Sequence, residues 1–402
     1  MRITRIDDLH CNAGWRDFSF LKISTDDGLI GWSEFMESYG SQGLSDVIRR
    51  LAERLVGQDP RPVERHTAFL HGVTRAAPGG INQQAIAAIE NALVDLKAKA
   101  LGVPVYELLG GPIRDRLRLY WSHCGTYQVM YGEQFREWTG QAPIRSLEDV
   151  AAQGAEVARR GYLGLKTNIM RFDSAAPTLH MPGFNAPFAP DLPVDAALVQ
   201  GLIEQMAAFR QGAGAGVGLH LDLNFNFRTE GYIRIAQAME PFDLTWLEVD
   251  SYDPAALGTI RRCSHTRIAS CESLFGRRQY RPFFEQQSVD VAIIDVPWNG
   301  IMESMKIAAM AETYEINVAP HNFNGHLGSL ISAHFCAAIP NFRVMEIDVD
   351  DVPWKDSLVT APPMIMDGEL LLPTGAGWGA EVNEEVAQLA QNRRLSVGKS
   401  RS

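Results

Sequence analysis

From Leu117 onward, short apolar runs alternate with amphipathic helical stretches, and this alternation restricts the fold more than any other feature of the chain. The runs LRLYWSH, LGLKTNI, GLHLDLN, TWLEVD, RIASCES, VDVAIID, INVAPH and FRVMEI read as strands. Between them lie helical patterns such as LEDVAAQGAEVARR, DAALVQGLIEQMAAFRQG, TEGYIRIAQAMEP and MESMKIAAMAETY. Strand, helix and strand at this spacing require parallel strands joined by crossover helices. The runs are apolar enough to be covered on both faces, and eight of them close a barrel. An open doubly wound sheet is the rival. It lacks a glycine-rich dinucleotide loop, because AGAGVG (213–218) precedes a strand instead of following one.

Residues before 117 have another texture. FSFLKIST and LIGWSEF flank TDDG, a hairpin signal centred on Asp27–Gly28. Helical periodicity follows at 41–54 and 60–73, and INQQAIAAIENALVDLKAKALG is the longest helical pattern, stopped near Gly102. Two long connections stand out in the barrel region. Residues 171–193, rich in Pro, Ala and Phe, have the length of a loop that closes a site or meets another subunit, and YQVMYGEQFREWTG is its smaller counterpart.

Composition excludes several classes of function. A chain of 402 residues with 46% hydrophobic and 21% charged residues is an ordinary soluble globular protein. A formal net charge of −11 without a basic block argues against nucleic acid as partner, though a local cation can still attract an anionic small molecule. No window has the length of a membrane helix, and the alternating, charged start lacks a signal-peptide core. Five scattered cysteines, without a CxxC pair, suit a reduced cytoplasmic setting.

The strand ends carry the chemistry. Asp222 ends LHLDLN, Glu248 ends WLEVD and Glu272 ends IASCES, on three successive strands. Converging carboxylates repel one another in a low-dielectric site, and a divalent cation removes the conflict. All-oxygen ligation suits Mg²⁺, with Mn²⁺ as a substitute. Asn224, two residues beyond Asp222, shares its strand face; it contacts substrate, orients a ligand or satisfies a turn. Asp295 ends VDVAIID and His321 ends NVAPH. A carboxylate holding one imidazole nitrogen raises the basicity of the other, which makes His321 an acid or base beside the metal. His326 is a loop residue, and His334 in ISAHFCAAI is a satisfied histidine on a packed helix. Glu346 ends FRVMEI, as a hydrogen-bond or proton donor to an oxyanion or as a salt-bridge partner. In YLGLKTNIMRFD, Lys166 and Asn168 point to one face while Thr167 points to the other.

In this order, these motifs resemble the enolase superfamily, within it the mandelate racemase-like subgroup. The segment through GWSE, the stretch AIENALVDLKAKALGVPVYELLGG and the closing PWKDSLVTAPPMIMDGELLLPTGAGWGAEVNEE extend the resemblance over nearly the whole chain. It implies a modified (β/α)7β TIM barrel over 117–370, an N-terminal α+β capping domain over 1–116, and a segment, 371–402, that returns to the cap. Loops near 13–18 and 35–43 would face the substrate. The resemblance also places Mg²⁺ on Asp222, Glu248 and Glu272, the dyad on Asp295 and His321, and an electrophilic acid at Glu346. It implies a homo-oligomer.

One position departs from the subgroup. The racemase-like pattern is Lys-x-Lys, whose second lysine abstracts a proton; here it is Lys-Thr-Asn, with Lys166 supporting and Asn168 where the base would stand. An amide has no useful basicity and can only position or hydrogen-bond. One base suffices for β-elimination. The expected activity is therefore that of an acid-sugar dehydratase, a lyase acting on an aldonate or aldarate to give a 2-keto-3-deoxy acid. Trp15, Arg16, Tyr39, Trp298 and Asn324 are further candidates for substrate contacts. A lactone cycloisomerase or an epimerase is the alternative enzyme, and a catalytically silent binding barrel the non-enzymatic one.

Overall fold

The computed structural model describes residues 1–38, 41–174, 176–184 and 194–394. Strands β1 (Ile3–Asn12), β2 (Asp17–Thr25) and β3 (Ile30–Phe35) form an antiparallel meander, and TDDG makes the second turn with Gly28 at φ 87°. The helix Gly80–Leu101 lies across this sheet and stops at Gly102, φ 70°. Its alanines let β3 approach closely: a Cβ at Gly31 would sit 2.2 Å from the Ala92 carbonyl, so that position admits only glycine. Asp95, inside the same helix, accepts the amides of Trp32 (2.9 Å) and Trp378 (3.0 Å) and pairs with Lys99 (2.7 Å). That buried carboxylate ties the closing segment around Trp378 to the meander.

The eight expected strands form a parallel ring. They are β4 (Arg116–Ser122), β5 (Gly164–Thr167), β8 (Gly218–Asp222), β9 (Trp246–Glu248), β10 (Ile268–Ser270), β11 (Val291–Asp295), β12 (Asn317–His321) and β13 (Met345–Asp348). Each pairs with the next from β4 to β12, and β13 pairs with β4, Glu346 opposite Tyr120. A bridge between Val318 and Phe342 completes the circle. Two small additions flank it. β6 (Met170–Arg171) and β7 (Thr178–Leu179) form a ribbon in the long connection after β5, while β14 (Ile365–Met366) and β15 (Glu369–Leu371) form a hairpin on β4. Residues 175 and 185–193 of that long connection lie outside the described residues.

The N-terminal region also caps barrel helices. Glu34 accepts the amides of Gly325 and Gly328 (2.8 Å for Gly328) at the start of helix His326–Ala338. Asn91 and Glu90 accept those of Ile301 and Met302 (2.9 Å each) at the start of helix Ile301–Thr313. Each satisfies amides that a helix start leaves unpaired. No helix among the described residues is long and apolar enough to cross a membrane, and the five cysteines are unpaired.

Candidate active site

The carboxyl ends of the ring strands bring the expected residues together. Asp222 and Glu248 are direct neighbours across β8 and β9, and both are buried. Glu272 lies beyond its strand, because β10 stops at Ser270 and Cys271 turns the chain at φ 95°. Asp250, two residues past Glu248 and not singled out from the sequence, joins them; only the period of two in WLEVD pointed to it. Burial, then Glu248, raises the Asp222 carboxyl to about 6. Burial, then Asp250, raises Glu272 well above the usual range. These are the signs of buried, mutually repelling carboxylates, and their hard oxygen donors fit Mg²⁺ or Mn²⁺. Among the described residues, no three His, Cys, Asp or Glu side chains close into a ready ligand set. An ammonium stands between the carboxylates instead.

That ammonium is Lys166. Its Nζ lies 2.8 Å from Glu346, 3.2 Å from Glu248 and 3.9 Å from Asp222. Burial disfavours the charged form, but Glu248 and Glu346 outweigh it and hold the lysine well above its ordinary value. In this metal-free arrangement Lys166 is held as an ammonium. Asn168 is held in turn. It accepts from the Thr126 hydroxyl (3.0 Å) and donates to Asn224 Oδ1 (3.2 Å) and the Asp222 carbonyl (3.4 Å). Asn224 does not share the strand face as expected: β8 ends at Asp222, and Asn224 sits at φ 45° with its amide on Asp222 Oδ1 (2.9 Å). It satisfies the turn and orients Asn168.

Across the ring, His321 Nδ1 meets Asp295 at 2.6 Å and its Nε2 points at Glu272, 3.7 Å away. Asp295 and His321 are in register on β11 and β12, so the dyad follows from strand pairing. Glu346 is the ion-pair partner of Lys166. It also accepts the Ser122 hydroxyl and the Asn322 amide (2.7 Å). Burial opposes its ionisation, but Lys166, His321 and His123 bring it down to about 2, so in this arrangement it is a carboxylate without a proton to donate.

The remaining candidates divide. Trp298 lies beside the dyad, its ring 5.3 Å from that of His321. Asn324 is buried, and neither of its amide atoms finds a hydrogen-bond partner among the described residues. Arg16 is an anchor: its guanidinium pairs with Asp348 (2.8 Å) and Asp351 and lies over the Phe323 ring (4.5 Å), so its charge is already matched inside the protein. Trp15 packs among Tyr127, Tyr131, Phe135 and Trp138, on and between the two short helices after β4. Both line a cavity of about 740 Å³ with Glu37 and Gln42. Tyr39 lies outside the described residues. His326 pairs with Asp356 (2.6 Å), and buried His334 accepts the Tyr106 amide (3.1 Å). One imidazole escaped the sequence reading. His123, directly after β4, sits 3.2 Å from Asp348; LRLYWSH had already placed it at a strand end.

Comparison with known proteins agrees with this architecture. Residues 12–110 match the mandelate racemase / muconate lactonizing enzyme N-terminal domain, and residues 149–386 match the enolase C-terminal domain-like family. The chain is 31% identical over 331 residues to a D-galactonate dehydratase of Ralstonia nicotianae, covering 80% of this chain and 75% of that protein. It is 28% identical over 401 residues to a D-gluconate dehydratase of Thermoproteus tenax, covering 96% and 73%. Among solved structures, it is similar to a provisional L-alanine-DL-glutamate epimerase of Burkholderia xenovorans, at 45% identity with magnesium and fumarate bound. That match has a TM-score of 0.93 and covers 98% of this chain and 99% of that one. Matched families over both regions, and a relative and a solved structure alike over most of the chain, lead to one conclusion: the chain belongs to the mandelate racemase/muconate lactonizing enzyme subgroup of the enolase superfamily.

Proposed function

We propose that the protein is an acid-sugar dehydratase, which removes the proton α to a carboxylate with His321 and expels the C3 hydroxyl. Superfamily membership carries metal-assisted proton abstraction from small carboxylates, and the finer reaction rests on the side chains. Asp222, Glu248 and Glu272 would hold Mg²⁺, which when bound neutralises charge on the substrate carboxylate. Lys166 adds a fixed positive charge there, and Asp295 orients His321 so that Nε2 receives the proton. The carrying observation is the pair Lys166 and Asn168. Lys166 pairs with Glu248 and Glu346, and Asn168 is a neutral amide fixed by Thr126 and Asn224, so the position after β5 where the subgroup carries its second lysine offers no group to re-protonate the substrate from a second side.

Epimerisation is the second reading, favoured by the Burkholderia xenovorans relative. By identity alone it is the better supported of the two, at 45% against 28–31% for the dehydratases. Dehydration is preferred here on the chemistry of Asn168. The test incubates the protein with Mg²⁺ in D₂O, with D-gluconate, D-galactonate and D-xylonate in one arm and L-alanyl-glutamate in the other. The dehydratase reading expects a 2-keto-3-deoxy acid, and recovered sugar acid of unchanged C2 configuration. Substrate recovered deuterated and inverted, with no water lost, would establish the epimerase instead. We further assign the cap to 1–116 with 371–402 and the barrel to 117–370, in a homo-oligomer that light scattering would size.

A further inference from the structure

We infer that His123 is the acid that protonates the departing C3 hydroxyl, an inference that rests on the dehydratase reading. The residue terminates β4 at φ 49°, a left-handed conformation that a histidine adopts only when its surroundings demand it. Its Nδ1 lies 3.2 Å from Asp348 Oδ1 and 3.1 Å from Ser122 Oγ. The Ser122 hydroxyl donates to Glu346, so its oxygen is left to accept from Nδ1–H. Nδ1–H is thereby held by the protein, and Nε2 is the nitrogen whose proton can be transferred. The ring is clamped between Tyr127 (centroids 5.0 Å apart, 19° between planes) and Phe323 (5.1 Å).

The other end of the ring is open. The His123 side chain keeps 19% of its surface exposed, and Nε2 takes no hydrogen bond among the described residues. His123 is linked to the strand-end acids through Ser122, because the hydroxyl that meets Nδ1 also donates to Glu346. Asp348 is built to stay ionised behind it. Burial opposes that, but Arg16 at 2.8 Å and His123 outweigh burial, and the Tyr127 hydroxyl donates at 3.0 Å. The construction repeats that of Asp295 and His321 in one respect: a buried carboxylate holds Nδ1. β4 is separated from β12 by β13, so the two imidazoles enter from different sectors of the ring.

In the step, His123 enters as an imidazolium, with Nδ1–H on Asp348 and Ser122 and Nε2–H toward the substrate. His321 Nε2 takes the C2 proton, and the C–H electron pair forms the enolate. Collapse of the enolate breaks the C3–O bond; the oxygen leaves with that pair and takes the proton from His123 Nε2–H, departing as water. The enol then ketonises, taking a proton at C3 from His321 and releasing its hydroxyl proton to His123. Both residues return to their starting states.

His123→Asn is the variant of choice, because asparagine tolerates positive φ and the turn survives. It is assayed with Mg²⁺ on whichever of D-gluconate, D-galactonate and D-xylonate the wild type dehydrates, and on the 3-deoxy-3-fluoro analogue. Fluoride needs no proton to leave. Expected are retained C2-proton exchange with D₂O, water loss reduced about 10²-fold or more, and fluoride release near the wild-type rate. Unchanged water loss overturns the role of His123 while leaving the dehydratase reading intact. Parallel losses of exchange, water release and fluoride release mark His123 as a packing residue and overturn it too. A wild type that dehydrates none of the three acids, or only inverts them, overturns the dehydratase reading and this role together.

Discussion

One oxygen of Asp295 lies 2.6 Å from His321 Nδ1, and the other accepts the Trp298 amide at 2.7 Å. The carboxylate is thus fixed from both sides, and the imidazole inherits that orientation. Asp295→Asn preserves the shape but presents an amide to Nδ1, so turnover falls by about 10²-fold or more. His321→Asn abolishes C2-proton exchange altogether. Mass spectrometry of substrate recovered from D₂O checks both, and undiminished exchange in the His321 variant would show that the base is elsewhere.

Burial works against the His321 imidazolium, but Glu272 and Asp295 raise it to about 10. A cation held by Glu272 removes the largest of the raising contributions and frees His321 to act as a base near neutral pH. Glu248→Gln deletes one ligand charge at nearly constant volume. The expected outcome is a folded protein with Mg²⁺-dependent turnover lost, read by circular dichroism and by activity during Mg²⁺ titration after EDTA. Full activity of that variant without added metal would refute the ligand assignment.

Lys166 is the countercharge for Glu248 and Glu346 in the metal-free chain. Lys166→Met leaves those buried carboxylates unpaired, a loss of about 3–5 kcal/mol. Mg²⁺ should then restore part of the stability, and stabilise this variant more than the wild type. Urea unfolding with and without Mg²⁺ measures the difference; equal metal effects in both proteins would argue against a shared carboxylate cluster.

Glu90 sits in the helix Gly80–Leu101 with its carboxylate on the Met302 amide, and burial raises its pKa from 4.5 to about 8. The folded chain holds this proton more tightly than the unfolded chain. The Glu90 contribution is therefore complete below pH 4.5 and declines as pH rises to about 8. Glu90→Gln keeps an acceptor for Met302 without the titration. Its stability should fall less than that of the wild type between pH 5 and 8.5, as read from thermal midpoints.

The sequence by itself determined the ring and most of its rim. Strand period placed Asp222, Glu248, Asp295 and His321 at carboxyl ends, and parallel pairing then made them neighbours. The residue type alone showed that Asn168 cannot serve as a base, because an amide has no useful basicity. Only tertiary structure decided what happens where the chain leaves the strands. Cys271, Asn224 and His123 all adopt positive φ, and so the side chains at and after them point where no strand pattern predicts. Tertiary contacts also decided which charges are already matched. Arg16 reads as an anion binder in sequence, yet the fold sets it between Asp348 and Asp351, which lie more than 300 residues away along the chain. Lys166 reads as a supporting residue in sequence, and only the fold supplies its partners, three carboxylates from β8, β9 and β13. Local periodicity fixes which way a residue faces within its own strand; the partners it meets there come from other strands and from the cap, and they set its charge and its role.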